Sequence, residues 1–149
     1  MAQQRASAGM LVLVGLLGMF FTPPEKKPEV SIYIDFVDRY QKADPGVEEK
    51  ITIGGRVRGI EDSSAYKVVV FSETSGGYQI QPWVGEYAPV DPGGVWERSG
   101  VRPSKRMHVL LLRKQDKVPL RTVLTREEFK AIPRIAEVIH SWEDHGNNK

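Results

Sequence analysis

The sequence predicts a mostly β protein: an antiparallel β-sandwich that carries a short C-terminal helix and follows an apolar N-terminal signal or anchor helix. Three observations predict this class. Apolar and polar residues alternate in several short segments, which is the period of a strand with one buried face. Clusters of glycine, proline and serine separate those segments, as in sandwiches of short strands. An uncharged apolar run at residues 9–21 precedes them all.

The N-terminal segment has the layout of a secretory signal, because the polar stretch 1–8 with Arg5 leads into the apolar run. The run is shorter than the roughly 20 residues with which a helix spans a bilayer. Pro23 and Pro24, however, lie where a signal peptidase would need to cut. We therefore expect an exported, extracytoplasmic protein in which residues 1–22 are either a signal peptide or a retained membrane anchor. Residues 23–29, rich in proline and lysine, are then an extended spacer.

The amino-acid composition excludes several classes of function. A chain of 149 residues suits one domain with a workable core. It contains no cysteine, which excludes a disulfide framework, a thiolate metal site and a thiol nucleophile. Lys and Arg total 21 against 19 Asp and Glu, so no overall charge draws the protein to nucleic acid. The sequence also lacks the common hydrolase, zinc-protease and phosphate-loop motifs. We therefore expect no cofactor and no nucleic-acid partner.

The β-sandwich is predicted over residues 30–124, and it begins with two alternating strands. The first has apolar residues at every second position: Val30, Ile32, Ile34 and Phe36. The second, residues 51–58, contains Gly54 and Gly55, which permit a bulge or the close approach of another backbone.

Four further strands follow. Residues 66–71 are β-branched and aromatic and should lie centrally in a sheet. Residues 78–84 pair back on them after a glycine-containing turn. The turn 91–94 leads into a strand from Val95, and residues 107–112 form an apolar strand interrupted only by His108.

The C-terminal segment 125–149 is predicted to be a helix followed by a charged tail. Thr125 and Glu128 have the spacing of a capping box, which opens a short helix. Pro133 can begin a second helical turn. Its apolar face has helical spacing and consists of Ile135, Val138, Ile139 and Trp142.

Several short phrases occur in a recognisable order: "ADPG" at 43–46, "ITIGGRVRGI" at 51–60, "YKVVVFSETSGGYQIQPWV" at 66–84, "VDPGGVWE" at 90–97 and "HVLLLR" at 108–113. In these the chain resembles a small Ig-like β-sandwich module of bacterial envelope and secreted proteins, which occurs alone or fused to signalling or polysaccharide-related proteins. The resemblance implies an Ig-like sandwich used for binding or structure rather than catalysis. It implies nothing for residues 126–149, because similar sequences have a shorter and less charged C-terminal part.

A candidate ligand surface lies along the predicted strand 78–84. Strand alternation places Gln79, Gln81 and Trp83 on one face. An indole flanked by amides suits carbohydrate, because the ring packs on the apolar face of a sugar while amides reach its hydroxyls. Tyr87 would extend this platform, and Trp96 would support it from the core. The alternative, which the sequence favours, is that Pro82 ends the pairing and Trp83 covers the open end of the core.

Basic residues form a candidate anion-binding patch for phospholipid headgroups or acidic polysaccharide: Arg98, Arg102, Lys105 and Arg106. A second basic group follows at Arg113, Lys114, Lys117 and Arg121. The strand 107–112 separates the two groups by roughly 20 Å, so we expect two patches at opposite ends of the sandwich. The alternative for both patches is that these basic side chains simply face solvent at the rim of the sandwich and bind no ligand.

His140, Asp144 and His145 could together bind a divalent transition metal. Ordinary surface charge is the favoured interpretation, because a helix end followed by "GNNK" is a poor scaffold for a metal site. We therefore predict no metal site. Paired carboxylates for glycoside cleavage would come from residues near strand ends, such as Glu73, Glu86 and Glu97.

The function expected from the sequence is that of a non-catalytic extracytoplasmic binding module, which recognises a surface glycan or a partner protein of the envelope. The alternatives are a purely structural scaffold or assembly module and a small glycan-active hydrolase. An exposed Trp83 ring would favour sugar binding, and a ring packed under its loop would favour the scaffold. If an anchor is retained, a basic patch that faces the bilayer would contact anionic lipid. The sequence leaves the oligomeric state open.

Overall fold

The computed structural model describes residues 23–39 and 49–141. Within them the chain is mostly antiparallel β structure with one short α-helix, as predicted. The elements in order are β1 (Ser31–Arg39), β2 (Ile51–Arg58), β3 (Tyr66–Thr74), β4 (Gly77–Gln81), β5 (Ala88–Pro89), β6 (Val95–Val101), β7 (Arg106–Arg113), β8 (Val123–Leu124), α1 (Arg126–Ala131) and β9 (Ala136–Ser141). The predicted N-terminal helix lies outside the described residues. No helix in the described ranges is long and apolar enough to cross a bilayer.

The smaller sheet has three strands in the order β1-β2-β6, with antiparallel pairing throughout. Its glycines allow the close backbone approach that the sequence predicts. A Cβ atom placed on Gly55 would lie only 1.8 Å from the carbonyl oxygen of Tyr33. The register between β1 and β2 shifts between Ile34 and Phe36, at the same place. The glycines therefore fix how tightly these two strands pack.

The larger sheet has six strands, in the order β8-β4-β3-β7-β9 with β5 paired to β3. The β-branched strand β3 lies centrally, as predicted. A hairpin connects it to β4, and Gly77 takes a φ of 135° at its turn, a value that favours glycine. β4 ends at Gln81, because the following Pro82 has no N–H with which to continue the ladder.

Two apolar clusters hold the sheets in place. One lies between the sheets and joins Val68 and Val109 to Trp96 of β6. The other lies on the opposite face of the larger sheet, where Phe71 and Leu110 meet α1 and the segment around β8. β3 and β7 are therefore buried on both faces, which explains why each has consecutive apolar residues, at 68–71 and 109–112, instead of alternating ones.

The C-terminal segment differs from the prediction in its second half. The capping box is confirmed: the Glu128 N–H donates to Thr125 Oγ1 at 3.2 Å, and the Thr125 N–H donates to Glu128 Oε1 at 3.3 Å. The predicted second helical turn is wrong, because Ala136–Ser141 form β9 on the edge of β7. Trp142 of the predicted apolar face lies outside the described residues.

This segment forms a strand instead of a helix because its short apolar pattern fits both the helical period and the strand period. Residues 136–141 alternate between half-buried and exposed, with Ala136, Val138 and His140 turned inward. A segment this short can satisfy helical and strand spacing together. The free backbone groups on the edge of β7 then favour the strand, since pairing satisfies them.

Candidate functional site

The loop that follows β4, residues 82–87, is called the aromatic loop. The Glu86 N–H donates to the carbonyl of Trp83 at 3.2 Å, and Gly85 takes a φ of 80° within this tight turn. The Trp83 side chain is 61% exposed and that of Tyr87 is 41% exposed. The favoured prediction that Trp83 covers the core is therefore wrong. The tryptophan that fills the core is Trp96, which is 1% exposed.

Basic side chains lie against both exposed rings. The Lys50 ammonium is 5.9 Å from the Trp83 ring centroid, and that of Lys67 is 5.4 Å from the Tyr87 ring. Both distances allow a cation–π attraction. Arg98 of β6 donates to the Tyr87 carbonyl at 3.3 Å and forms an ion pair with Glu86. These contacts fix the aromatic loop to the smaller sheet.

The amides of the predicted ligand surface do not join the aromatic rings. Gln81 is 2% exposed, and its Oε1 accepts a hydrogen bond from the backbone N–H of Arg102 at 3.0 Å. Gln79 is half-buried in β4 and pairs with Val123 of β8. Of the five predicted contact residues, Trp83 and Tyr87 lie on the surface, whereas Gln81 and Trp96 lie inside.

A small cavity of about 130 Å³ lies beside Tyr87. Its lining is apolar apart from Lys67 and Glu86 and otherwise consists of Val69, Ile80, Gly85, Tyr87, Val118 and Leu120. Leu120 is 77% exposed, the largest exposure among the exposed large apolar side chains of the described residues. The surface beside the aromatic loop is therefore mostly apolar, and its charged groups are those of Lys67 and Glu86.

The four predicted anion-binding residues do not form one patch. Arg98 is held by the aromatic loop, as described above. Arg102 and Lys105 are exposed where β6 leads into β7. Arg106, at the start of β7, lies with its Nε 3.5 Å from Glu73 Oε2 and lines a separate cleft. Because Arg113 ends the same strand, the second basic group starts at the far end of β7, as predicted.

This separate cleft, called the charged cleft, has a volume of about 420 Å³. It is lined by residues from β3, β4, β7, α1, β9 and the segment between α1 and β9: Glu73, Tyr78, Arg106, His108, Arg126, Phe129, Lys130, Arg134 and Glu137. The sequence does not predict this cleft as a site, although His108 is the one polar residue of an apolar strand. Its lining residues are distant in sequence and meet only through strand pairing and the packing of α1.

His108 lies at the floor of the charged cleft and is 4% exposed. Its Nε2 is 2.8 Å from Glu73 Oε2, and its Nδ1 is 2.9 Å from Glu137 Oε1. A neutral imidazole has one N–H, so both contacts are satisfied together only when the ring carries two protons or one carboxyl is protonated. In either state both ring nitrogens are occupied, and neither is available to a metal or to a substrate proton.

Aromatic and cationic contacts complete the floor. The rings of Tyr78 and Phe129 are stacked at 3.9 Å between centroids, and the His108 ring meets both edge-on. The Arg134 guanidinium lies 4.6 Å from the Phe129 ring centroid and donates to Glu137 Oε2 at 2.7 Å. Burial raises the pKa of Glu137, but its hydrogen bonds with His108 and Arg134 outweigh burial and hold that pKa below its usual value.

The carboxylates predicted as a catalytic pair and the residues considered as metal ligands do not come together in one site. Glu86 is bound to Arg98, Glu97 is exposed on β6, and only Glu73 reaches the charged cleft. His140 lies on β9, whereas Asp144 and His145 are outside the described residues. Within residues 23–39 and 49–141, no group of three His, Asp or Glu side chains is placed to hold a metal ion.

Comparison with protein-family models, with curated proteins and with solved structures gave no match. The aromatic loop and the charged cleft are therefore the two surfaces from which we infer function.

Proposed function

We propose that this protein is a non-catalytic extracytoplasmic binding module that recognises a surface glycan through its aromatic loop. The observation that carries the proposal is the 61% exposure of Trp83. A large apolar ring exposed to this extent is characteristic of a contact surface. Its flat face suits a sugar ring, and the nearby Lys50 offers a hydrogen-bond donor for a hydroxyl or a carboxylate.

The architecture that we propose is the Ig-like sandwich, which the shared core between two antiparallel sheets supports. The location that we propose is outside the cytoplasm, supported by the apolar run at residues 9–21. Intact mass of the protein recovered from cells tests the location, because it reports whether residues 1–22 have been removed. A full-length species confined to the cytosolic fraction would contradict export.

A glycan array tests the glycan proposal, using the full-length protein and its Trp83→Ala variant. We expect binding to weaken by more than about tenfold, since an aromatic anchor at the centre of a contact surface contributes about 2 kcal/mol. The matched control is Tyr33→Ala, because Tyr33 is a 44% exposed aromatic residue on the other sheet. Equal losses in both variants, or no glycan bound by the wild type, would reject the proposal.

A partner protein is the second candidate, and the cavity beside Tyr87 favours it. Its aliphatic residues Val118 and Leu120 offer no hydrogen bonds to sugar hydroxyls, whereas a volume of about 130 Å³ suits one apolar side chain. A photo-reactive residue at position 120 should then give one discrete adduct in cells of the source organism. The same residue at position 33 should give none. A Leu120→Ser variant that leaves glycan binding unchanged separates the two candidates.

We propose no catalytic role for the charged cleft. Glycoside cleavage needs one carboxyl to protonate the leaving group and another to attack or to activate water. Glu73 and Glu137 are both hydrogen-bonded to His108, which lies between them. Hydrolysis of any array glycan by the wild type, lost in Glu73→Gln, would contradict this part of the proposal.

A further inference from the structure

The charged cleft carries more positive than negative charge. Four of its lining residues are basic, namely Arg106, Arg126, Lys130 and Arg134, and two are acidic, Glu73 and Glu137. The acidic groups are paired within the cleft. Glu73 contacts His108 and Arg106, and Glu137 contacts His108 and Arg134. Leaving His108 out of the count, the unpaired positive charge lies at the two basic residues that have no acidic partner.

Those residues are Arg126 and Lys130, which lie one helical turn apart on α1. Both are exposed, and neither has an ion-pair partner among the residues that the structure describes. Residues four positions apart lie on the same side of a helix, so the two cations line the cleft together. The other two basic residues are both paired. Arg106 lies beside Glu73, and Arg134 is held by Glu137 and by the carbonyls of Phe129 and Ile132.

The charge and the size together indicate the ligand class. A guanidinium beside an ammonium matches a dianion, and the guanidinium can also form paired hydrogen bonds to two phosphate oxygens. A volume of about 420 Å³ is within the range of small-molecule sites and exceeds what a bare phosphate fills. The Tyr78 hydroxyl makes no hydrogen bond within the described part of the chain and is a further donor in the lining.

We propose that the charged cleft binds the phosphate group of an organic phosphate monoester, with Arg126 and Lys130 as its direct contacts. The His108 cluster acts as the floor that keeps Glu73 and Glu137 paired and away from the anion. This site is separate from the aromatic loop. Lys67 lines the cavity at one end of β3 and Glu73 lines the cleft at the other, about 20 Å away by strand geometry.

Calorimetric titration of the full-length protein at low ionic strength tests the proposal. The probes are glycerol 3-phosphate, glycerate and glycerol, which share two adjacent hydroxyl-bearing carbons and carry a phosphate dianion, a carboxylate and no charge respectively. We expect saturable binding of glycerol 3-phosphate, displaced by inorganic phosphate and at least about tenfold tighter than glycerate. No saturable binding of the phosphate, or equal affinity for glycerate, would overturn the proposal.

Two double variants locate the site. Arg126→Gln with Lys130→Gln should weaken glycerol 3-phosphate binding at least about tenfold, equivalent to about 1.4 kcal/mol. The matched control is Lys105→Gln with Lys117→Gln, which removes the same number of exposed cations outside the cleft. Circular dichroism verifies that both fold. Equal losses in both would show non-specific charge attraction and overturn the assignment.

A vesicle-binding assay distinguishes a soluble phosphate ester from a lipid headgroup as the ligand of the cleft. Phosphatidylcholine vesicles with and without phosphatidic acid present the same monoester at a membrane surface. Saturable glycerol 3-phosphate binding accompanied by vesicle binding that requires phosphatidic acid, both lost in the Arg126 and Lys130 variant, supports a lipid source. Glycerol 3-phosphate binding without vesicle binding supports a soluble one. Vesicle binding that survives in this variant, without binding of the soluble ester, overturns the proposal.

Discussion

His108 on β7 and Glu137 on β9 are joined through their side chains, with Nδ1 and Oε1 2.9 Å apart. The ladder itself pairs Glu137 with Leu110 and His108 with Ile139, so this contact runs diagonally between the strands. Glu73 of β3 meets the other ring nitrogen. One imidazole therefore links three adjacent strands of the larger sheet, including the edge strand that the sequence analysis did not predict.

His108→Ala should destabilise the fold substantially. The change leaves Glu73 and Glu137 partly buried, each without its hydrogen bond to the imidazole and with only Arg106 or Arg134 as a partner, and it empties the space of a buried ring. We expect a loss of about 3 kcal/mol in the free energy of unfolding, measured by urea denaturation. Arg126→Ala, at an unpaired exposed residue of the same cleft, should change it by no more than about 0.5 kcal/mol. Similar values for the two variants would contradict the role assigned to His108.

The lowered pKa of Glu137 predicts a contribution to acid stability. Its carboxylate is favoured in the folded state, so its contribution is present above the ordinary pKa of 4.5 and is lost as the pH falls through the lower folded pKa. Urea midpoints of the wild type should therefore decrease below about pH 4.5. Glu137→Gln should be less stable at neutral pH and show a smaller decrease. Parallel pH profiles for the two proteins would disprove the assignment.

Gly55→Ala should disrupt the pairing of β1 with β2. The added methyl group would lie 1.8 Å from the Tyr33 carbonyl oxygen, which is backbone and has little room to move. We expect a loss of about 3 kcal/mol or more. Gly76→Ala is the control, because its Cβ would meet only Thr74 Oγ1 at 3.9 Å. Thermal denaturation measures both, and a tolerated Gly55→Ala would show that these strands can separate at little cost.

The two described tryptophans should respond differently to truncation. Trp96→Ala empties a large volume between the sheets and should cost about 4 kcal/mol. Trp83→Ala removes an exposed ring and should change stability by less than about 0.5 kcal/mol. Chemical denaturation followed by circular dichroism compares them without relying on tryptophan fluorescence. A strongly destabilised Trp83→Ala would instead assign that ring to the packing of its loop.

Most of the fold is encoded in local patterns. The six strands expected from alternation, β-branched composition and apolar runs are all present, and so is the capping box that starts α1. The short strands β5 and β8 have two residues each, too few for a period to be visible. The sequence predicts a helix where β9 forms, because the apolar residues fit both spacings and only pairing with the edge of β7 selects the strand.

The candidate sites were less predictable, because they depend on tertiary contacts. Alternation correctly indicated that Gln81 and Gln79 share a strand face, but not that the carboxamide of Gln81 is used by the Arg102 backbone. The sequence groups Arg106 with its basic neighbours, whereas its side chain lies among residues from four other elements. A lone histidine in an apolar strand was the one local sign of the charged cleft, since a buried imidazole requires polar partners.

The burial of β3 and β7 on both faces determines how the molecule exchanges its amide protons. Each strand is also hydrogen-bonded to a neighbour along both edges. Deuterium therefore reaches the amides of Val69 and Leu110 only when the whole domain opens. Their exchange rate reports global stability, and any compound held by the native state at either surface would slow it by a factor of one plus the ratio of its free concentration to its Kd.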